Sequence, residues 1–585
     1  MNHETADTRR RTLLNIGRAW CDRHYDSSSH LLGTEVRGAA AYAVFLCESG
    51  SEDDLQRAEM VIDAVIDQQE SAANSPYCGW YRVFSDAEVS LDANWSAFCG
   101  SYLAHAGIGF SSVLSAGVTK RIGESVARAC KAIQTRNVNP GYTNIAMLSA
   151  SVLTSGGEWI GSAKYVEEGR RKLRELTEHL NLTGAFQEYN SPTYYAVSLS
   201  AACWMRMFCG DEEIKDLATR LEDRLWRLIA AHYHPATCQL SGPHARAYGS
   251  LLQPYAAGVK YYLYRVLGDA FDLGEHETHG HDSSYAGLAS VQEVNCPDEA
   301  LELMRNPRRS RGVIGTVLTE GDRVNEAYQG RFEQTTSWLT DRYALGSVSA
   351  KDTWSQRRNF ALFWRQTDGR PAAITECVWE NDEPAPYGRG ARFRSVQHEG
   401  KVLAVYDFGE LDEEPRSAVS LSFHFEASQS ADIRVDGEVR TGFPVAVKDQ
   451  QDVRINFGDI QIFFRYDALD FLNAKPDAVI RRVERGFEFV LDLYRGDAHS
   501  FSRVELVRSF CAIFLQVSET GVDKDLLHDS VQGEFEISSA GHTVRWQNHK
   551  DTLEISDPDE ADRPWFNASI NGSPVRAQRY FESDL

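Results

Sequence analysis

The densest group of polar and aromatic residues lies in the segment TGAFQEYNSPTYYAVSLS, residues 183–200. Proline is favoured in the first turn of a helix, so Pro192 places its neighbours at the start of a helix. Carboxylate, amide and phenol groups in such a place can exchange protons and form hydrogen bonds with a ligand. A capped helix start with packed tyrosines is the alternative interpretation. The segment predicts a site that includes four residues, Glu188, Tyr189, Asn190 and Tyr194.

A second candidate segment is LSGPHARAYGSLL, residues 240–252. His244 and Tyr248 are four residues apart, so they share one face if a helix begins near Pro243. Arg246 lies between them and is permanently charged. A capped helix with a solvated histidine is the alternative. Together, His244, Arg246 and Tyr248 suit the deprotonation of a carbon atom next to a carboxylate.

Three further polar residues occur where helices are predicted to begin. Asn94 follows Asp92 in SLDANWSAF, and Asn144 lies in GYTNIAML. Trp95 is a candidate platform for stacking against a sugar ring. Each residue alone also fits a helix cap or a packed side chain.

None of the other polar clusters in the sequence predicts a cofactor site. The His-rich stretch from Glu275 to Asp282 matches no HExxH spacing and is predicted to be a solvated loop. The basic tract NPRRSRG and the run Gln356-Arg357-Arg358 are predicted to be surface charge. The sequence contains no Walker A loop, dinucleotide fingerprint or GxSxG motif. We therefore expect neither a metal nor an organic cofactor.

Composition limits the partners that the protein can have. The formal net charge is -23, which disfavours nucleic acid and anionic membranes but allows an anionic substrate in a locally positive cleft. The 11 cysteines form no CxxC pair, and the N-terminus lacks the apolar core of a secretory signal. The sequence contains no apolar run of about 18 residues, so no membrane span is predicted. We expect a cytoplasmic protein, and the sequence leaves open whether it forms a homo-oligomer.

The spacing of apolar residues changes along the chain. Segments such as EDDLQRAEMVIDAVIDQ have helical spacing, and short connections separate about ten of them. Later segments such as DIQIFFRY alternate apolar and polar residues, as strands do. The predicted fold class is multidomain α then β, an N-terminal (α/α) toroid followed by an antiparallel β-sandwich. The predicted boundaries are 1–290 for the toroid, 291–314 for a linker and 315–585 for the sandwich.

These features resemble polysaccharide lyases with an α/α toroid and an antiparallel β-domain: the heparinase II/III, oligoalginate lyase and hyaluronate/chondroitin lyase groups. Their helix-starting loop carries a glycine, an aromatic residue, a carboxylate or glutamine, and a tyrosine. Asn144 matches their carboxylate-binding asparagine, although Ile145 follows it where those families often have histidine. Residues Gly184, Phe186, Glu188 and Tyr194 match the loop, and Trp338, Leu345, Gly346, Ser347, Trp354 and Gln356 resemble the opening of the β-domain.

The resemblance implies β-elimination on a uronic acid of an anionic oligosaccharide substrate. That reaction requires neutralisation of the carboxylate, a base for H5 and an acid for the departing O4. Asn144, Asn190 and His244 are candidate neutralising donors, and Tyr194 or Tyr248 is the candidate base, acid or both. Arg246 and His244 are the cations that would help a tyrosine to ionise.

Two other classes remain open at this stage. A glycoside hydrolase on the same toroid would use a pair of carboxylates, Glu188 and Asp92. A carbohydrate epimerase or a non-catalytic binding protein would use the same cleft. Product chemistry discriminates between the lyase and the hydrolase, because a lyase produces a conjugated double bond and a hydrolase consumes water.

Overall fold

A helical first half is followed by a second half rich in β-sheet. The computed structural model describes residues 5–86, 91–253, 257–274, 283–307, 310–318, 332–387, 390–409, 411, 414–428, 430–468, 471, 476–506, 509–520, 532–538, 541–547, 551–558 and 567–575. The His-rich stretch 275–282, predicted to be a solvated loop, lies outside these residues.

The first half contains helices joined mostly by short connections. Most segments with helical spacing are helices in the structure, with small shifts at their ends. The exception is the segment 246–268, where helix begins only at Val259. The α-helices are α1 (Ala6–His24), α2 (Val36–Ser49), α3 (Glu52–Asp67), α4 (Ala93–Phe110), α5 (Ala116–Arg136), α6 (Thr143–Ser151), α7 (Gly157–Trp159), α8 (Ala163–Thr183), α9 (Tyr194–Phe208), α10 (Glu212–His232), α11 (Val259–Leu267), α12 (Ser284–Val291) and α13 (Asp298–Arg305). A π-helical turn, Val152–Gly156, joins α6 to α7.

The helices form an inner and an outer set. Helices α2, α4, α6 and α9 pack against one another in that order, and α11 and α12 connect α9 back to α2. Helix α2 is buried almost all round, whereas α5 and α10 each bury a stripe of side chains. Each outer helix α3, α5 and α10 packs against an inner partner. This difference follows the sequence, because an amphipathic helix buries one face only.

The second half contains antiparallel sheets. The segments with period-two spacing are strands, and a short helix, α14 (Arg503–Leu506), lies between two of them. Four short strands lie among the helices of the first half: β1 (Tyr81–Arg82), β2 (Leu91–Asp92), β3 (Tyr233–His234) and β4 (Gln239–Leu240). The strands of the second half are β5 (Arg311–Leu318), β6 (Phe332–Leu339), β7 (Tyr343–Val348), β8 (Ala350–Asp352), β9 (Phe360–Arg365), β10 (Pro371–Glu380), β11 (Glu383–Pro384), β12 (Arg392–His398), β13 (Lys401–Asp407), β14 (Arg416–Glu426), β15 (Asp432–Val435), β16 (Glu438–Arg440), β17 (Val445–Val447), β18 (Val453–Asn456), β19 (Ile460–Ala468), β20 (Asp477–Val483), β21 (Gly486–His499), β22 (Phe510–Glu519), β23 (Gln532–Ser538), β24 (Gly541–Gln547), β25 (Thr552–Pro558), β26 (Asn567–Ile570) and β27 (Ser573–Pro574).

Two large sheets and one smaller sheet make up this half. The first large sheet has the order β17-β20-β21-β14-β10-β9-β7-β6-β5, with β11 paired to β10. The second has the order β16-β15-β18-β19-β22-β13-β12-β8, and the third runs from β23 to β27. Aromatic rings of the two large sheets meet in the core: the ring centroid of Phe423 on β14 lies 5.2 Å from that of Phe464 on β19 and 6.0 Å from that of Tyr406 on β13.

The two halves meet closely at the loop that follows β4. A Cβ atom at Gly346 on β7 would lie 1.8 Å from the carbonyl oxygen of Gly242, so only glycine fits there. Ser337 on β6 donates a hydrogen bond of 2.5 Å to the same oxygen. The β-half therefore fixes the start of the loop that carries His244, Arg246 and Tyr248.

The predicted division into domains remains a prediction. Within the segment predicted as a linker, 291–314, the structure has helix α13 and the first residues of β5. None of the helices in the described ranges is both long and apolar enough to cross a membrane.

Candidate functional site

The carboxylate of Glu188 holds the start of helix α6. Both of its oxygens accept hydrogen bonds from Asn144, one from the backbone N–H at 2.7 Å and one from Nδ2 at 2.6 Å. Tyr142, at the N-cap position of α6, makes no side-chain capping bond, so Glu188 satisfies a helix N–H that would otherwise lack an acceptor. Glu188 and Asn144 are both almost fully buried.

Two tyrosines from different segments meet at the surface end of this site. The hydroxyl oxygens of Tyr194, the first residue of α9, and Tyr248 lie 2.8 Å apart. The Arg246 guanidinium lies over the Tyr194 ring, 4.3 Å from its centroid, and its Nη2 donates to the Tyr248 hydroxyl at 3.4 Å. Burial raises the pKa of Tyr194 well above its ordinary value, and the charge of Arg246 only partly offsets this. Tyr194 is therefore neutral. The side chain of Tyr248, unlike that of Tyr194, is exposed to solvent.

Arg246 connects the tyrosines to the buried carboxylate. Its Nη1 lies 3.8 Å from Glu188 Oε1. Burial opposes its charge, but Tyr194, once ionised at high pH, and Glu188 more than compensate and raise the pKa of Arg246, so it remains a cation. Its Nε and Nη2 donate to Oε1 of Gln356, at 3.2 and 2.6 Å. Gln356, a residue of the β-half, therefore holds the Arg246 cation in place.

His244 differs from the sequence expectation in both conformation and charge. Residues 244–253 form an irregular loop and not a helix, because backbone N–H groups of His244 and Ala247 donate to carbonyls of Arg358 and Gln356. Burial lowers the pKa of His244 to about 3, so the imidazole is neutral and cannot serve as a cation. Its Nδ1 donates to the carbonyl of Asn190 at 2.7 Å.

The predicted binding residues Asn190 and Tyr189 connect loops. Asn190 Nδ2 donates to the carbonyls of Ser241 and Pro243, so its amide hydrogens are already used. The carbonyl of Tyr189 accepts from Ala245 N at 3.1 Å, and its ring is packed in the core. Both residues align the loop after β4 with the loop before α9.

The residues at the start of α4 are connected to the site by a hydrogen bond to Tyr142. Asp92 caps this helix by accepting from Asn94 N at 2.7 Å. Asn94 Nδ2 donates to the Tyr142 hydroxyl at 3.3 Å. Burial and the nearby Glu188 raise the pKa of Tyr142. Trp95, predicted as a sugar platform, is half-buried and has the Arg37 guanidinium 5.2 Å from its ring centroid.

A small pocket opens beside Tyr248. It contains about 270 Å³ of empty space, part of it open to solvent, and Pro192, His244 and Phe363 are among the residues that line it. His244 therefore borders a cavity as well as contacting Asn190. This pocket lies next to the exposed tyrosine of the site.

Sequence reasoning did not assign Tyr142, Trp354 or Gln356 to this site. Gln356 is separated from Arg246 by 110 residues, and no local pattern connects them. The run Gln356-Arg357-Arg358 was predicted to be surface charge, but Arg357 is buried, pairs with Asp352 and lies against the ring of Trp354. The run is instead part of the contact between the two halves.

The described residues contain no group of three or more histidine, cysteine, aspartate or glutamate side chains arranged to hold a metal ion. The cysteines among them are free thiols.

Comparisons with known proteins give a family of unknown role and a distant structural likeness. Residues 11–293 match a family model described as a domain of unknown function (DUF8769). A search of curated proteins finds no match. Among solved structures, the chain is similar to one described as a heparinase III gene product with methylated lysines, at 8% identity and a TM-score of 0.33, covering 88% of this chain and 82% of that chain.

Proposed function

We propose that the protein is a carbohydrate-active lyase that cleaves uronic-acid-containing oligosaccharides or polysaccharides by β-elimination. The observation that carries this proposal is the Tyr194–Tyr248 hydroxyl pair with the Arg246 cation over it. An acid–base pair beside a permanent cation supplies the three functions that the reaction needs.

The proposed architecture is an α/α toroid followed by a β-sandwich. The packing of α2, α4, α6, α9, α11 and α12 in a cycle supports the toroid. Contact between aromatic rings of the two large sheets supports the sandwich. In this architecture the site lies where the helical loops meet the β-half.

Arg246 is the proposed neutraliser of the substrate carboxylate. Its guanidinium donates to the Tyr248 hydroxyl and to Gln356 and lies over the ring of Tyr194. Asn144 Nδ2 has a second hydrogen beyond the one used by Glu188. Withdrawal of electron density by these donors makes H5 acidic.

Tyr248 is the proposed base and Tyr194 the proposed acid. A tyrosinate at position 248 would accept hydrogen bonds from both Tyr194 and Arg246. Tyr248 takes H5 as a proton, the C5–H electron pair forms the C4–C5 double bond, and the C4–O4 bond breaks. Tyr194 gives its proton to O4, and the proton on Tyr248 then returns to Tyr194 across their hydrogen bond.

The hydrolase alternative finds less support in the two carboxylates that it requires. Asp92 accepts the backbone N–H of Asn94 as a helix cap, and both oxygens of Glu188 accept from Asn144. A nucleophile or general acid has to face the scissile bond, and these carboxylates are engaged in holding helix starts.

The test is a product assay over a panel of uronate-containing oligosaccharides. The expected result is an ultraviolet-absorbing unsaturated product whose mass shows no added water. Arg246→Met, which keeps a long side chain without charge, should lose most of this activity. Products that contain added water and lack the double bond would overturn the proposal.

A further inference from the structure

The side chain and backbone of Gln356 both contact the loop that carries Arg246. Its Oε1 accepts from two nitrogens of the guanidinium, Nε and Nη2, at 3.2 and 2.6 Å. Its backbone carbonyl accepts from Ala247 N at 2.6 Å. Gln356 is half-buried and lies between β8 and β9, so it fixes the orientation of a cation that belongs to the other half of the molecule.

The chemical type of Gln356 matters because it is uncharged. Two N–H donors of one arginine most often bind a carboxylate, which cancels the charge of the guanidinium. Here an amide oxygen takes that place. The carboxylate of Glu188 lies 3.8 Å from Nη1, beyond hydrogen-bond distance, and both of its oxygens are used by Asn144. Glu188 forms an ion pair with the guanidinium, but the group that accepts its hydrogen bonds and orients it is neutral and adds no second negative charge.

Aromatic side chains complete the surroundings of this cation. Tyr194 lies under the guanidinium, and the Trp354 ring centroid is 5.7 Å from its central carbon. These rings shield the cation from water and add no negative charge beside it. An anion that displaces the remaining water would gain a strong, directional contact.

We infer that Gln356 is a positioning residue that makes the site selective for anionic over neutral sugars, by orienting Arg246 without neutralising it. The inference rests on the proposed function for the place where the sugar binds. It goes further in assigning selectivity for a carboxylate-bearing ring to one residue of the β-half.

The test measures binding and needs no turnover. Glucuronate, galacturonate, mannuronate and neutral glucose are titrated calorimetrically into the full-length protein and three variants. Gln356→Glu keeps the shape and adds a carboxylate at Arg246. Gln356→Leu keeps the bulk and removes the acceptor. Gln461→Glu, at a half-buried position of β19, is the matched control that adds the same charge elsewhere.

We expect the wild type to bind at least one hexuronate more tightly than glucose. Gln356→Glu should weaken hexuronate binding by about tenfold or more, since like charges a few ångströms apart interact strongly at a partly buried site. Gln356→Leu should weaken hexuronate binding less, and glucose binding should change in neither variant. Gln461→Glu should bind hexuronates as the wild type does. The hexuronate affinity of Gln356→Glu should depend less on salt concentration than that of the wild type or of Gln461→Glu.

Three results would overturn the inference: no preference of the wild type for hexuronates, wild-type binding by Gln356→Glu, or wild-type binding by Gln356→Leu. Melting temperatures identify a variant that fails to fold, and the remaining Gln356 variant then decides. Hexuronate selectivity without any elimination product would contradict the lyase proposal alone. Elimination with a charge-insensitive Gln356→Glu would contradict this inference alone.

Discussion

The hydroxyl oxygens of Tyr194 and Tyr248 lie 2.8 Å apart although 54 residues separate them. Tyr194 begins a helix, whereas Tyr248 lies in a loop held by the β-half. Only Tyr248 is well exposed, and only Tyr194 has the Arg246 guanidinium stacked on its ring. The pair therefore presents one accessible and one sheltered hydroxyl to the same space.

Removing either hydroxyl should stop turnover without unfolding the protein. Tyr194→Phe and Tyr248→Phe keep the ring and should each lower kcat by about 10²–10⁴-fold, the range of general acid–base catalysis. Tyr165→Phe, half-buried at the start of α8, is the control and should stay active. Steady-state kinetics and melting curves measure both effects. An active Tyr194→Phe variant would contradict the assignment of its hydroxyl as the acid.

Glu188→Gln separates the lyase from the hydrolase. A glutamine can accept from Asn144 N and donate to Asn144 Oδ1, which is buried and has no hydrogen-bond partner in the described structure, if the asparagine amide rotates. The start of α6 should therefore survive, with activity within about tenfold of the wild type because a hydrogen bond is exchanged and not lost. Initial rates measure the outcome. A folded Glu188→Gln variant without activity, beside an active Tyr194→Phe, would favour the hydrolase.

His244→Ala should mainly lower stability. The imidazole is buried, neutral and bonded to the carbonyl of Asn190, so its loss leaves a cavity and an unsatisfied acceptor. We expect a cost of about 2–4 kcal/mol in the free energy of unfolding. His244→Asn keeps a donor near the same carbonyl and should recover part of it. An inactive His244→Ala with an unchanged melting temperature would instead indicate a direct part in the chemistry.

Local periodicity was sufficient to predict most elements of the fold. Alternation predicted strands such as β14, β19 and β21, and an Asp-Gly pair predicted the turn between β15 and β16, where Asp436 and Gly437 have positive φ. The segment after Pro243 was wrongly predicted as helix. Its backbone N–H groups donate to the β-half, and this tertiary pairing overrides the local helix signal.

The site was predictable only where its residues are close in sequence or share a motif. Glu188 and Tyr194 lie in one segment, as do Arg246 and Tyr248, and the structure brings both segments together. Gln356 has no such neighbour, and its role depends on contact between the halves. The low pKa of His244 likewise depends on burial, which the sequence GPHARAYG does not reveal.

A buried carboxylate in the β-half should make stability depend on pH. Glu376 on β10 accepts backbone hydrogen bonds from Asn359 at 2.7 Å and Phe360 at 3.1 Å, directly after the loop that carries Gln356. Burial raises the pKa of Glu376 from 4.5 to about 7. Between these pH values the folded protein binds more protons than the unfolded chain. The free energy of unfolding therefore falls as pH rises through this window, by up to about 3 kcal/mol.

Glu376→Gln should remove this dependence, because glutamine accepts the same backbone bonds and does not ionise. Melting temperatures of the wild type and the variant should converge at about pH 5 and diverge at about pH 8, where the variant is the more stable. Glu438→Gln, at an exposed position of β16, is the control and should follow the wild-type curve. Parallel curves for the wild type and Glu376→Gln would show that Glu376 keeps the same protonation state when the protein unfolds.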